Sequence, residues 1–401
     1  MIREIKNKVW SVTHYFNRGD DSDQGLKLAR VTTKDQLKEF VQFKLDLYRD
    51  NPYFVPDLAS DEISALTKEG NPAFEFCEAE LFMVYRGHEV VGRIVALINH
   101  KANKAWGENR ARFGWVEFID NDEVVDMLFE AAEKWARLRG CTEIHGPMGF
   151  TDLDKEGMLV EGFDQMGTMI TNYNYPYYPR QIERRGYIKD TDWMEYKIFI
   201  PKLVPEKHAR MSQIVQDRYG LRLLKFDDRE TLVNQYGKAI FQLYNEAYGK
   251  LYGFSPLNSE QIDMAIKQYL PLINLDFINL VVTKKGEVVG FGITIPSIAK
   301  ALQKTGGKLF PTGFVHILRA LRAKHTEVVE LLLIGVKPEY QNKGVNALIF
   351  EDLIKVMNKY QVKYAESNPE LETNLSVMLQ WNYFKKVHHK RRRAYVKGLQ
   401  N

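Results

Sequence analysis

The sequence predicts a mixed α/β protein of two tandem domains, each a twisted mixed sheet flanked by helices, and three observations carry that expectation. The chain has 401 residues, more than one ordinary hydrophobic core supports, so two domains are expected. Its halves repeat one plan. ELFMVYRGHEVVGRIVALI (residues 80–98) and FINLVVTKKGEVVGFGITI (residues 277–295) are each an apolar strand, a tight polar turn and a second strand that begins Glu-Val-Val-Gly. That is a hairpin signature twice over. Finally, each half runs a later strand straight into a helix, at RFGWVEFIDNDEVVDMLFEAAEKWA (residues 112–136) and at VVELLLIGV followed by NALIFEDLIKVMNKY.

The elements follow in order. LKEFVQFKLDLY precedes the first hairpin and YGKAIFQLYNEAYGKLY the second, both with helical apolar spacing. Residues 328–336 are aliphatic and too short for a usual helix, hence a buried strand. Leu348, Ile349, Leu353, Val356 and Met357 then fall on one helical stripe. The expected division is an N-terminal extension over residues 1–25, a first domain over 26–200 and a second over 201–401, joined near Pro201 to Pro205.

Composition narrows the class. With 45% hydrophobic and 27% charged residues, the chain is of soluble globular type. Cys77 and Cys141 stand far apart, which offers no metal spacing and no disulfide framework and fits a reducing compartment. MIREIKNKVW lacks the apolar core of a signal peptide, and no stretch approaches the roughly 20 apolar residues of a membrane span. The cytoplasm is therefore the expected location. A net charge of +4 is too mild to imply nucleic acid. The run HHKRRR, His388 to Arg393, reads as a solvated terminal strand or tail, or as a surface for a phosphate-rich partner.

The second strand-to-helix junction is the strongest local signal. A helix start exposes N–H groups without intrahelical partners and carries the positive end of the macrodipole. Gln341, Asn342, Lys343, Gly344, Val345 and Asn346 are expected to form an anion cradle there, Gly344 admitting a ligand close to the backbone and Lys343 adding charge. The first-half junction carries Asp120, Asp122 and Glu123 instead. Carboxylates already occupy that dipole and repel phosphate, so the first copy is expected to keep the fold without the anion site.

This order of elements, with Gln341 and Gly344 in the pattern Q/R-x-x-G-x-G/A, resembles the GNAT superfamily of acyl-CoA transferases; Asn346 replaces the usual small residue. The resemblance implies an acyl-CoA or acetyl-CoA donor and no metal. Main-chain groups of Ile334 and Val336 would pair with the pantetheine arm, and amides from Gln341 to Asn346 would hold the diphosphate. Asn374 stands at the family's matching asparagine. The family's proton-donating tyrosine would lie seven residues beyond it, where this chain has Trp381, and Tyr383 is the substitute. NPYFVPDL, NPAFEF, VGRIVALINHKAN, HGPMGF and YNYPYYPRQIERRGY are similar to bacterial tandem-GNAT proteins of the YghO-like group. That group is associated with ceramide synthases, so the implied function is acyl-CoA-dependent N-acyl transfer to an amine, with a sphingoid base as one acceptor.

Transfer to an amine needs a neutral nitrogen, an oxyanion stabiliser and a proton route. Glu366, at the end of VKYAES, and His145, in the analogous place of the first half, are the expected bases; each reads equally as a capping or core residue. Residues 146–186 form a long segment without helical or strand period. Asp154, Glu156 and Asp164, with Asp152, could attract a cationic amine there, and Tyr173, Tyr177 and Tyr178 could wall an acceptor pocket. As structure alone, the segment packs the halves together. An insertion near residues 297–329 pairs an apolar stripe with Lys and Arg, suiting a packed helix or peripheral contact with the inner membrane face. No Ser or Cys sits in a nucleophile arrangement, so direct transfer is expected. The alternatives are a non-catalytic CoA-binding sensor or scaffold, which Trp381 favours, and an acetyltransferase of peptides or small amines.

Overall fold

The computed structural model describes residues 25–270 and 273–399. Of the expected N-terminal extension, residues 1–24 lie outside the described residues. The strands, in chain order, are β1 (Leu26–Arg30), β2 (Cys77–Arg86), β3 (Glu89–Asn99), β4 (Arg110–Phe118), β5 (Glu143–Gly146), β6 (Met158–Glu161) and β7 (Ile188–Phe199). The second half adds β8 (Arg222–Leu224), β9 (Ile278–Val282), β10 (Val288–Pro296), β11 (Val328–Val336), β12 (Tyr364–Ser367), β13 (Glu370–Leu371) and β14 (Lys386–Gly398).

Both repeated hairpins are present, β2 with β3 and β9 with β10, each antiparallel. The glycine of Glu-Val-Val-Gly has the same reason in both halves. A Cβ on Gly92 would lie 2.8 Å from Val124 and Leu128, and one on Gly290 would lie 2.9 Å from Val345. These are the residues with which the helices Asp122–Arg137 and Val345–Lys359 press on the sheet. The fourth strand of each half carries a bulge: the β3–β4 register shifts between Arg93 and Val95, and the β10–β11 register between Ile293 and Thr294. A bulge bends its strand and turns it from its neighbour. β4 is parallel to β5 and β11 to β12, and each parallel ladder is short, so the strand ends splay beyond it.

The two halves share one continuous sheet, in the order β1-β2-β3-β4-β5-β14-β7-β12-β11-β10-β9-β8. The last strand of each half crosses to the other. β7 pairs with β12, Tyr364 opposite Phe199, while β14 pairs with β5, Tyr395 opposite Gly146. β7 and β14 pair along most of their length at the centre.

The basic run His388 to Arg393 lies in that central β14, and neither a solvated tail nor an open basic surface results. Lys390 and Arg392 are buried and bind Glu195 at 2.9 and 2.6 Å, while Arg391 and Arg393 hold Asp192 at 3.2 and 2.8 Å. Burial alone would raise the Glu195 carboxyl, but the Arg392 and Lys390 charges outweigh it and pull it down to about 2.

The aromatic segment packs inside the first half. Tyr178 is fully buried and stacks on Phe118 with ring centroids 4.1 Å apart. Its hydroxyl meets that of Tyr48 at 2.8 Å. Tyr173 packs edge-on against Tyr48, and its hydroxyl donates to Phe163 O at 3.1 Å.

Candidate functional site

One large cavity, of about 1060 Å³, opens where β11 and β12 part. Its walls come from β10, β11, the later turns of the helix Glu206–Tyr219, the start of the helix Val345–Lys359, the helix Gly237–Tyr248 and the first-half loop around Asp152. Mostly apolar side chains line it, among them Phe241, Ile293, Leu331, Leu333 and Leu353. A pocket this large sits at the upper end of the range for ligand sites.

At one end lies the turn from Gln341 to Asn346, every residue of which lines the cavity. The helix Val345–Lys359 starts there without a side-chain cap, and the amides of Gly344, Val345 and Asn346 have no intramolecular acceptor among the described residues. Those are the N–H groups that a bound anion satisfies. Lys343 stands over the rings of Tyr340 and Tyr219 at 5.1 and 5.6 Å, with Arg218 also on the wall. Gly344 has φ +83°, and a Cβ would lie 2.7 Å from Met211 Cγ. It is therefore required by the turn and by packing against the helix Glu206–Tyr219, apart from any ligand.

The exposed edge of β11 comes next. Ile334 N–H donates to the Tyr248 hydroxyl at 3.3 Å, and that hydroxyl donates to Ile334 O at 3.0 Å. One side chain thus offers the donor and acceptor that an amide of a bound pantetheine would present. Val336 O accepts from Gln341 Nε2 at 3.1 Å, which ties the edge to the cradle. Asn368 Nδ2 donates to Leu332 O across the splay.

Carboxyls line the deeper wall. Glu370, on β13, is 8% exposed; its Oε1 accepts from the Trp381 indole at 2.6 Å and its Oε2 has no partner. Burial raises this carboxyl to about 7, against the opposing pull of the Trp381 and Ser367 hydrogen bonds. Asp152 and Glu156 also line the cavity, with both Asp152 oxygens and Glu156 Oε1 shielded and unpartnered. Burial raises both carboxyls above the usual range, with the Asp152 charge adding to the rise at Glu156 and the Asp154 charge to that at Asp152. Asp154 is on the wall too, but its Oδ2 accepts from Thr151 N–H at 2.9 Å, so it serves the loop.

The other residues expected from sequence fall in different places. Asn374 lines the cavity, its Oδ1 accepting from Ser376 at 2.8 Å. Glu366 faces the opposite side of the sheet, 2.8 Å from His389 and 3.4 Å from Lys390 in the central charge network. Tyr383 is 49% exposed and accepts from Lys207 at 2.5 Å on the outer surface. His145 is buried behind the wall; its Nδ1 meets the Tyr252 hydroxyl at 2.7 Å, and burial lowers it to about 4, so it is neutral. Asp164 is exposed, and Tyr173, Tyr177 and Tyr178 belong to the first-half core; none of the four lines the cavity. Glu370, Tyr248 and the Trp381–Glu370 pair were not reached from sequence. The one available signal was Trp381 itself, a donor-only ring in place of a phenol.

Among the described residues no group of three His, Cys, Asp or Glu side chains is arranged to hold a metal ion. No helix among them is long and apolar enough to cross a membrane.

No family model matches the chain. It is 26% identical over 394 residues to "Bacterial ceramide synthase" of Caulobacter vibrioides (strain NA1000 / CB15N), covering 95% of this chain and 99% of that one. It is 26% identical over 388 residues to "Protein YghO" of Escherichia coli (strain K12), covering 94% and 96%. Among solved structures, the tandem GNAT protein from the clavulanic acid biosynthesis pathway superposes with a TM-score of 0.51 at 12% identity, over 94% of this chain and 99% of that one. A GCN5-related glucosamine N-acetyltransferase region of a fungal multi-domain β-N-acetylglucosaminidase gives 0.52 at 10% identity, over 95% and 39%. Repeated hairpins, bulged fourth strands, splayed parallel pairs and these superpositions together give the chain the tandem GNAT fold.

Proposed function

We propose that this GNAT-type acyltransferase moves an acyl chain from coenzyme A to the nitrogen of a long-chain amine, a sphingoid base being the leading acceptor. One observation carries the reading: a single, mostly apolar cavity joins an uncapped helix start to buried, unpartnered carboxyls. The amides from Gly344 to Asn346 with Lys343 suit the diphosphate, and the β11 edge suits the pantetheine once its amide displaces the Tyr248 hydroxyl. The curated relative named as a ceramide synthase, aligned end to end, supports a lipid acceptor.

The proton balance assigns the acids. An ammonium acceptor must first lose a proton, and the nitrogen loses a second as the amide forms; the departing thiolate takes one back, so one proton leaves per turnover. Glu370, beside the splay, takes the proton from the attacking nitrogen and returns it to the thiolate, while Asp152 and Glu156 hold the ammonium and accept its first proton. The Trp381 indole keeps Glu370 oriented, which gives this ring a role in place of the family's tyrosine. Side-by-side binding supplies much of the rate through proximity. In this reading the protein works from the cytoplasm, at the inner face of the membrane.

Thiol release from acyl-CoA tests this, measured over a series of acyl lengths and a panel of amines. Release with long-chain bases above that with short amines supports the reading. Release with peptides or small amines alone would replace the acceptor class. CoA binding without release under any acceptor would favour the sensor or scaffold that Trp381 first suggested.

A further inference from the structure

Residues 297–327 join β10 to β11 in the second half, where residues 100–109 make the corresponding link in the first. The longer link holds two helices, Ala299–Thr305 and Gly313–Leu321, and it is tied to the opposite half. Ala59 N–H donates to Gly307 O at 2.8 Å, and Gln303 Nε2 donates to Pro52 O and Phe54 O, each at 2.9 Å. Its inner face is apolar and packs with Val55 and Met169. On that face Ile298, Ile317 and Leu321 form part of the cavity wall.

The outer face is unlike ordinary surface. Phe310 is 72% exposed, Val315 41% and Phe314 37%, and the two phenyl rings lie 5.7 Å apart. In the same link Lys300, Lys304, Lys308, Arg319, Arg322 and Lys324 are exposed, and from Ser297 to Thr326 there is no Asp or Glu. Adjacent exposed aromatics are costly in water and mark a contact surface. Six cations with no acid between them specify an anionic partner. A bilayer with anionic headgroups supplies apolar depth and negative charge together. The inner face adds a reason for a membrane over an acidic protein, because the same short element separates this surface from a cavity suited to amphipathic molecules.

We propose that residues 297–326 dock the protein on an anionic membrane, seating Phe310, Phe314 and Val315 among the lipids, and that lipid substrate enters the cavity beside Ile298, Ile317 and Leu321. The docking surface stands on the patch alone; the entry route rests on the lipid-acceptor reading above. Sedimentation of the full chain with phosphatidylcholine vesicles, with and without phosphatidylglycerol, tests it. The protein should pellet with anionic vesicles at low salt and be released at high salt. Phe310→Ser with Phe314→Ser, and separately Lys308→Gln with Arg319→Gln and Arg322→Gln, should each weaken binding at least tenfold. Both variants should keep full thiol release with a detergent-dispersed acceptor and lose at least tenfold with the same acceptor in vesicles. No vesicle binding by the unchanged protein, or equal binding by the variants, would overturn docking. Concentration-dependent self-association that the Phe variant abolishes, without vesicle binding, would assign the face to a second copy. Vesicle binding that the variants weaken, together with no thiol release under any condition, would leave docking standing and remove the acyl-transfer reading instead.

Discussion

The two halves meet the same problem at the end of their fourth strand and answer it differently. In the first half, Phe118 N–H donates to the Tyr178 hydroxyl at 2.9 Å and Phe118 O accepts from Tyr177 at 2.7 Å. Met148 N–H reaches Phe113 O at 2.8 Å, which lays the following segment into the splay. Asp120, at the helix approach, accepts from Gln181 at 2.7 Å and Arg180 at 3.0 Å. The end of β4 and the acid at the helix approach are thus engaged by the chain itself. In the second half only side chains cover the matching edge, Tyr248 at Ile334, Gln341 at Val336 O and Asn368 at Leu332 O, and the helix start has no side-chain cap. A duplicated scaffold thus becomes one site and one support, and the difference lies in what fills the splay, since strand order and hairpins are alike.

The comparison is broken most sharply at Glu370. Glu370→Gln should lower kcat/KM about a hundredfold or more without loss of CoA binding. With a carboxyl raised to about 7, the base form fills as pH rises through 7, so the rising limb of the pH–rate profile should vanish in the variant. The same shift fixes the sign of a stability effect. Folded Glu370 holds its proton more tightly than the unfolded chain, whose value is 4.5, so its contribution is present below that pH and is lost as pH rises to about 7. The melting temperature of the variant should fall less over that window. Next, Asp152→Asn with Glu156→Gln should raise KM for the amine about tenfold to a hundredfold, as removal of charged hydrogen bonds does, leaving KM for acyl-CoA in place. In the supporting half, Tyr178→Phe leaves Phe118 N–H buried without an acceptor and should cost about 1–3 kcal/mol, read by denaturant titration. Lys343→Glu should weaken CoA about tenfold by opposing the helix start, measured by calorimetry. Smallest of all, Asp122→Ala should leave the stoichiometry at one CoA per chain; a value of two would mean that the first splay is open.

The hairpins and the glycine turn that opens the helix at Val345 could be read directly, because each depends on a period or on turn residues within a few positions. The Glu-Val-Val-Gly repeat even encodes a three-dimensional contact, helix against sheet at Gly92 and Gly290. Contacts between distant segments were not legible. Tyr177 and Tyr178 look like pocket residues until the partner of their hydroxyls, the end of β4, is known. Glu366 and Glu370 are four positions apart, and the turn into β13 puts one in the central charge network and the other on the cavity wall. The basic run read as a tail because its countercharges, Asp192 and Glu195, lie on β7, about two hundred positions away.

The exchange of β7 and β14 makes each half the keystone of the other. Cutting the chain between Pro201 and Pro205 should leave the fragments clasped and able to work together, whereas either fragment synthesised alone would present an open sheet edge and a missing neighbour. The first half cannot be discarded, because the half that holds the cavity borrows its backbone.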